Sequence, residues 1–276
     1  MANLFSGLES MGLGKLTNME VYETNEGQQG KSVQEEKPQI TEADFIFEKT
    51  YTCPVCDNEF KSKTVKTGKV KLVSADTDLR PKYQLVDSLK YDVVDCPVCG
   101  YAALNRFFNF MTSPQAKLIK ASISSVYKGA VPSGDILTYD EAITKHKLAL
   151  VNTIVKKGKL SERAYTCLKT GWLIRGKRES LPTTTPNYNK VVAHLEAEEI
   201  DFLTKAYEGF AEAYSKENFP MCGMDEATIT YLLADLARRT GKTEDALRYI
   251  SKVIVSRDAN DRIKDKARQL KDLMNI

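Results

Sequence analysis

Four of the six cysteines in the sequence lie in two identical Cys-Pro-Val-Cys motifs, at residues 53–56 and 96–99. A motif of this kind forms a knuckle, meaning a tight turn that directs two sulfurs toward one point. Four thiolates complete a tetrahedral Zn²⁺ shell and leave no coordination position open for a substrate. The sequence therefore predicts one structural Zn²⁺, and its predicted ligands are Cys53, Cys56, Cys96 and Cys99.

The residue that follows each knuckle supports this interpretation, because a turn of this shape commonly needs a positive φ there. Gly100 adopts positive φ without steric cost, and Asp57 is one of the few other residue types that tolerate it. An apolar, strand-like segment also precedes each motif. The two motifs are thus expected to have the same local structure.

Two other chemistries use the same motif. Cys-Pro-Val-Cys-Gly resembles the second knuckle of rubredoxins, and iron at this site would make the chain an electron carrier. Spacing alone does not separate iron from zinc. A dithiol redox pair would instead need one exposed Cys-x-x-Cys at a helix N-terminus, which two motifs on strands fit badly. Zinc is the main prediction and iron the alternative cofactor.

Five lysines lie within eleven residues that contain no acidic side chain. Residues 61–66 and 70–73 flank Thr67-Gly68-Lys69, which predicts a β-hairpin. Zinc ribbons present such hairpins to nucleic acid, but arginine and interleaved aromatic residues are missing here. A solvated edge strand explains the lysines as well. Nucleic-acid binding is therefore an alternative function, and its candidate residues are Lys61, Lys63, Lys66, Lys69 and Lys71.

The remaining candidate side chains form no catalytic pattern. Cys167 is expected in the core of a helix and Cys222 in a loop as a free thiol, while His146 and His194 lie on predicted helices. The sequence contains no His-Glu-x-x-His, Gly-x-Gly-x-x-Gly or Gly-x-Ser-x-Gly motif and no phosphate-binding loop. We therefore expect that the protein is not an enzyme.

Composition indicates a folded protein of the cytoplasm. The 276 residues are 42% hydrophobic and 28% charged, and no apolar run approaches the length of a membrane span. Cysteines paired at metal-ligand spacing favour a reducing compartment. The net charge of +3 is uneven, because residues 1–44 carry eight acids and three lysines. A flexible acidic tail is predicted over 1–44, with one short apolar helix face formed by Leu4, Phe5, Leu8 and Met11.

The rest of the chain predicts an α+β protein in two parts. Residues 45–112 read as a small β-rich module of zinc-ribbon or rubredoxin-like type, in which residues 75–90 are an elaboration between the knuckles. Residues 113–276 read as helices. Their predicted boundaries are a start at Ser113-Pro114, a capping box at Thr138 with a stop at Gly158, a helix from Ser161 to Arg175-Gly176, and helices over 188–216, 225–241, 243–256 and 261–274.

The segment 229–254 resembles a tetratricopeptide repeat. Leu233-Ala234 gives a large–small pair, Gly241 lies at the turn and Ala246 is the small residue where helices approach. Ala237 replaces the usual aromatic residue of the first helix, so the match is degenerate. Residues 113–276 are accordingly predicted to form a tetratricopeptide-like array, which commonly offers a surface to a protein or peptide.

As a whole, the chain resembles a bacterial family known as domain of unknown function 2225. The resemblance rests on Tyr-Thr-Cys-Pro-Val-Cys at 51–56, on 91–105 with Cys-Pro-Val-Cys-Gly-Tyr-Ala-Ala, and on Gly171-Trp172. It implies a bacterial cytoplasmic protein with an intact four-cysteine site, and it supplies no activity. The leading hypothesis is a non-catalytic, zinc-binding adaptor or scaffold that contacts a protein or peptide. The alternatives are a nucleic-acid-binding zinc ribbon and a rubredoxin-like electron carrier.

Overall fold

The structure is a computed structural model that describes residues 40–129 and 134–274. A strand-rich part comes first and is followed by helices, so the predicted α+β class is confirmed. The strands are β1 (Ile46–Thr52), β2 (Glu59–Val65), β3 (Leu72–Ala75), β4 (Pro81–Tyr83), β5 (Val93–Asp95) and β6 (Ala102–Leu104). The helices are α1 (Ser113–Ile119), α2 (Tyr139–Val155), α3 (Leu160–Glu179), α4 (Tyr188–Lys216), α5 (Glu226–Arg239), α6 (Thr243–Val255) and α7 (Asp261–Leu273).

The strands form three separate antiparallel hairpins, β1–β2, β3–β4 and β5–β6. The first and third hairpins have a cysteine knuckle as their turn. Tyr51 pairs with Phe60 across the first hairpin, and Val94 pairs with Ala103 across the third. These four residues are buried, and their side chains join one apolar cluster with the cysteines. The strands predicted to lead into each knuckle are therefore confirmed.

The predicted hairpin around Thr67-Gly68-Lys69 is wrong. Residues 59–65 pair with β1 instead, and residues 72–75 pair with β4. The knuckle already brings β1 and β2 together as neighbours in sequence, so β2 has its partner before residue 67. Lys69 and Lys71 consequently lie in a connection outside any strand.

Helix boundaries follow the predicted capping signals in most cases. Thr138 forms the expected capping box with Glu141, Asp225 caps α5 through the Thr228 N–H, and α4 spans the predicted residues. The first helix is capped by Thr112, one residue before the predicted Ser113. It continues as a π-helix over Lys120–Ser124.

The helix α3 differs from its prediction at both ends. Ser161 does not cap it; the carboxylate of Glu217, after the end of α4, accepts hydrogen bonds from the N–H groups of Leu160 (2.7 Å) and Ser161 (3.3 Å). At the other end the helix runs past Gly176 to Glu179. Gly176 is buried, and a Cβ there would lie 2.8 Å from the ring of Tyr139, so this glycine permits close packing inside the helix.

The described residues from Ile40 onward form one compact unit. The main core lies between α3 and α4 and extends to α2, α5 and α6. A second core links α5, α6 and α7 and includes Ile250 and Val253, while Ala246 is buried in the main core. The tetratricopeptide-like array remains a prediction, as do the domain boundaries at 45–112 and 113–276.

The predicted short helix in the acidic tail lies outside the described residues. Of the residues predicted as tail, Ile40 to Asp44 are described, and Glu42–Phe45 form a turn of 3₁₀-helix. Glu42 is fixed there by contacts with Lys90 and with the hydroxyl of Tyr91. None of the helices in the described ranges has both the length and the apolarity that a membrane crossing requires.

Candidate metal centre

Each knuckle is closed by the same backbone hydrogen bonds. The N–H of Asp57 donates to the Cys53 carbonyl (2.9 Å), and the N–H of Gly100 donates to the Cys96 carbonyl (3.1 Å). Asp57 has φ 60° and Gly100 has φ 72°, as predicted for the residue after each turn. The two strand hairpins thereby present their cysteine pairs in equivalent local geometry.

The structure brings the four cysteines together. The Sγ atoms of Cys53 and Cys99 are 3.5 Å apart, those of Cys56 and Cys96 are 3.6 Å apart, and all four lie within 4.8 Å of one another. A tetrahedral site with Zn–S bonds of about 2.3 Å has sulfur–sulfur edges of about 3.8 Å. The four sulfurs could therefore hold one metal ion at their centre. No second group of His, Cys, Asp or Glu with this property occurs in residues 40–129 and 134–274.

The sulfurs are shielded from water. Cys53, Cys96 and Cys99 are at most 5% exposed, and Cys56 is half-buried. Aromatic side chains pack beside the sulfurs. Among them, the Phe108 ring contacts three other rings at centroid distances of 5.1–6.0 Å. The hydroxyl of the fully buried Tyr101 donates to the Phe108 carbonyl (3.0 Å). This packing fixes the second knuckle against the aromatic cluster.

The pKa values of the cysteine thiols indicate a site that is suited to a cation. A hydrogen bond from the Cys99 thiol lowers the pKa of Cys53 to about 5. Burial raises the pKa of Cys96 to about 11, and the hydrogen bond to Cys53 raises the pKa of Cys99. The protein alone therefore favours the Cys53 thiolate and disfavours the thiolates of Cys96 and Cys99. Four thiolates need a compensating positive charge, which a divalent metal supplies.

The helices hold the second knuckle from outside. The hydroxyl of Ser124 donates to the Cys99 carbonyl (2.9 Å), and the Asn152 amide donates to the Gly100 carbonyl (3.0 Å). A Cβ on Gly100 would lie 2.6 Å from the ring of Tyr127, just beyond the π-helix. The cluster is thereby connected to α2 and to the segment that follows α1. The sequence predicted the cluster of four cysteines but not these supports, which depend on packing between distant segments.

The candidate nucleic-acid-binding lysines do not form one free cationic surface. Lys61 lies 3.7 Å from the carboxylate of Glu48, and Lys63 donates to the Gly134 carbonyl. Lys66 donates to the Asp44 carbonyl (3.0 Å). Lys69 and Lys71 are exposed in the connection after β2. The structure thus separates the five lysines into a strand face and a loop.

Of the other four predicted side chains, three are buried, and His194 on α4 is exposed. Cys167 lies in the main core, and the Cys222 thiol donates to the Ser161 carbonyl (3.3 Å). The His146 ring is fully buried, and burial lowers its pKa to about 4. Its Nδ1 lies 2.8 Å from the Ala142 carbonyl, whereas its Nε2 has no partner among the described residues. None of these groups approaches the four sulfurs as a further ligand.

A buried ionic network was not predicted. Residues 76–80, here called the acidic loop, insert between the helices, where Arg175 on α3 donates to Asp76 (2.8 Å) and Asp78 (2.6 Å). Arg175 also donates to Glu199 on α4 (2.7 Å), and Asp78 accepts a bond from the Trp172 indole (3.0 Å). The sequence signal was an arginine directly after the apolar run Trp172-Leu173-Ile174.

The acidic loop is also bound to α5. The Tyr231 hydroxyl donates to the Thr77 carbonyl (2.7 Å), and the Thr77 hydroxyl donates to Asp235 (2.7 Å). Asp235 is fully buried and pairs with Arg238 and Arg239. The acidic loop therefore reaches α3 and α5 through hydrogen bonds and ion pairs, and its Leu79 adds an apolar contact with the core of α5, α6 and α7.

Comparison with known proteins gives a family and no activity. The family model described as "Uncharacterized protein conserved in bacteria (DUF2225)" matches residues 46–274. No curated protein and no solved structure matches the chain. The matched range includes both knuckles, the acidic loop and all seven helices described above.

Proposed function

The chain belongs to this uncharacterised bacterial family, and on that premise we propose that it is a non-catalytic zinc-binding protein that acts by contacting another protein. The observation that carries the proposal is the closed, buried cluster of four cysteine sulfurs. A metal with four thiolate ligands has no open position for a substrate, so its role is to stabilise the fold. Zinc is proposed over iron because the cluster lies beneath a packed surface, whereas an electron carrier needs its metal near a partner.

A groove beside the metal centre supports the contact role. Its volume is about 640 Å³, and it runs between the segment before α1, the start of α3 and the loop after α4. Phe110 on its rim is 72% exposed, and the partly or fully exposed Met111 and Pro220 add apolar surface. Exposed large apolar side chains grouped around a groove are typical of protein contact sites.

The charges around the groove indicate the partner. Arg106 and Lys159 are exposed in its lining and have no carboxylate within ion-pair distance in residues 40–129 and 134–274. The acids of the groove are already engaged: Glu162 pairs with Lys156 (2.7 Å), and Glu217 caps α3. We propose that the partner presents an apolar side chain next to an acidic one.

Metal analysis tests the first half of the proposal. Protein purified without chelator should contain one zinc per chain and no visible absorption, and cobalt substitution should give the absorption of a tetrahedral thiolate site. A red protein with one iron per chain would support the rubredoxin-like alternative instead. Protein that contains neither metal would contradict the metal assignment.

Site-specific crosslinking tests the contact role. A photoreactive amino acid at position 110 should crosslink to a discrete partner in the native cells, and Arg106→Glu should abolish the product. Position 255 is the matched control, because Val255 is 76% exposed at the end of α6 and lies outside the groove. Equal crosslinking from positions 110 and 255 would show that the groove is not the contact site.

A further inference from the structure

A second cavity, of about 450 Å³, lies between the strand-rich part and the helices, away from the cysteine cluster. Its lining includes residues of β2, the acidic loop, the segment before β5, α3 and α5. The volume falls within the range of small-molecule sites. Neither the proposed zinc site nor the proposed contact groove uses this cavity.

An ion pair forms part of the cavity wall. Lys169 on α3 donates to the carboxylate of Asp92, and both residues line the cavity. Lys169 is 9% exposed, and its Nζ lies 4.7 Å from the centroid of the Tyr165 ring. Burial alone would lower the pKa of Lys169, but the charge of Asp92 raises it above the ordinary value. The wall therefore carries one fixed positive and one fixed negative charge side by side.

Both charged groups have unused hydrogen-bonding capacity. Lys169 uses one of its three N–H donors on Asp92 Oδ2 and directs a second toward Tyr165, which leaves one donor, and no donor reaches Asp92 Oδ1 from the described part of the chain. Asn105, which also lines the cavity, accepts a bond from Tyr51 through Oδ1, while its Nδ2 has no acceptor within the ranges described. A small ligand could thus bind an acceptor at Lys169 and Asn105 and a donor at Asp92.

The rest of the lining combines apolar and aromatic side chains with hydroxyl groups, which belong to Thr64, Thr67, Ser88 and Thr228. Trp172, Leu89, Leu232 and Met224 contribute apolar surface. The indole of Trp172 is held in place by its hydrogen bond to Asp78, whose charge is matched by Arg175. The cavity as a whole therefore has one ion pair, no excess charge and a partly apolar wall. This pattern excludes a strongly anionic ligand such as a nucleotide, which needs several unpaired cations.

We propose that this cavity binds a free α-amino acid with an apolar side chain. Its carboxylate would accept hydrogen bonds from Lys169 and Asn105, its ammonium group would donate to Asp92 Oδ1, and its side chain would lie against Trp172. A zwitterion matches an ion pair without changing the net charge of the site. The proposal adds a small-molecule site to the chain and does not depend on the contact role.

The test uses the full-length, metal-containing protein and three amino acids: leucine, methionine and phenylalanine. Because Trp172 is the only tryptophan, saturable binding should change its fluorescence, and calorimetry measures the same binding independently. Leucinamide, which lacks the carboxylate, and 4-methylpentanoate, which lacks the ammonium group, should each bind at least about tenfold more weakly than leucine, because each loses a charge-assisted hydrogen bond.

Variants separate a ligand site from a merely structural ion pair. Lys169→Met and Asp92→Asn should abolish binding while metal content and circular dichroism show that the chain is folded. Should either variant fail to fold, Thr228→Phe decides, because it fills the cavity from α5 without removing the ion pair. Lys205→Met is the control, since Lys205 is exposed, pairs with Glu208 and lies outside the cavity.

Two results would overturn the proposal. One is the absence of binding of all three amino acids by calorimetry at concentrations up to about 10 mM, well above a millimolar dissociation constant. The other is equal affinity for leucine and for both of its single-charge analogues, which would mean that the ion pair takes no part in recognition.

Discussion

Replacing Arg175 with methionine removes the centre of the buried ionic network while keeping most of the side-chain volume. In the native chain the Arg175 guanidinium donates to Asp76, Asp78 and Glu199 at 2.6–2.8 Å, and its side chain is only 4% exposed. Asp78 is fully buried, so its charge would be left without its main partner in a medium that solvates it poorly.

The size of the effect follows from which acids keep another partner. Glu199 would still contact Arg178 (3.0 Å), and Asp76 would still contact Lys82 (3.0 Å). Asp78 would retain only the Trp172 indole and Arg239 at 3.6 Å. One uncompensated buried carboxylate costs about 3–5 kcal/mol of unfolding free energy. For a chain of this length, 3 kcal/mol corresponds to a fall in melting temperature of about 6–12 °C.

Thermal or urea unfolding monitored by circular dichroism measures this change. Adding Asp78→Asn to Arg175→Met should restore part of the lost stability, because the unpaired charge is then gone. Arg268→Ala, which breaks an exposed pair with Asp265, is the control and should leave the melting temperature unchanged. The reasoning would be refuted if the melting temperature of Arg175→Met fell no further than that of the control.

The pH dependence gives a second readout of the same variant. Burial alone would raise the pKa of Asp78, but the hydrogen bond and charge of Arg175 outweigh it and the pKa is lowered. The resulting stabilisation is complete above the unfolded value of about 3.9 and is lost as the pH falls through the lower folded value. The difference in stability between wild type and Arg175→Met should therefore narrow below about pH 4.

Three further predictions concern the metal centre and the core. Cys96→Ser should lower the bound zinc measured by elemental analysis, and Cys222→Ser should leave it unchanged; equal loss in both would contradict the ligand assignment. Gly100→Ala should lower the free energy of unfolding, measured in urea, by about 2 kcal/mol, because the residue has a positive φ and the new Cβ would clash with a ring. Gly241→Ala should lower it less, because a Cβ there meets open space. Burial lowers the pKa of His146 in the folded protein from 6.5 to about 4. The unfolded chain therefore gains a proton before the folded protein does, and the stability of the fold decreases as the pH falls from 6.5 to about 4. His146→Gln should flatten the fall in melting temperature over that range, and an unchanged slope would show that this histidine does not titrate as expected.

The parts of the fold that the sequence predicted are those set by local rules. Thr138 and Asp225 cap helices where their types and spacing indicated, and the four cysteines meet because two short hairpins carry them. Each of these features depends on residues close in sequence. The cluster of four cysteines could be predicted for the same reason.

The parts that could not be predicted depend on residues far apart. Glu217 replaces Ser161 as the cap of α3 from a position 57 residues after the first helical N–H. The pairing of Asp78 with Arg175 spans 97 residues, and no periodic pattern marks it in the sequence. The two cavities are formed by such contacts as well. The residues that line each cavity come from segments far apart in sequence, and neither secondary-structure propensity nor residue spacing indicates that these segments meet.

The contact between the acidic loop and α5 joins residues far apart in sequence, and this has a consequence for synthesis on the ribosome. Thr77 is bound by Tyr231, which lies 154 residues later in the chain. At about 5–20 residues per second, Tyr231 is added roughly 8–30 s after Thr77. The residues of both knuckles are added long before then, so the four cysteines leave the ribosome while the loop between them still lacks α5. During that interval Thr77 lacks the hydroxyl of Tyr231, and the loop cannot reach its native contacts with α5.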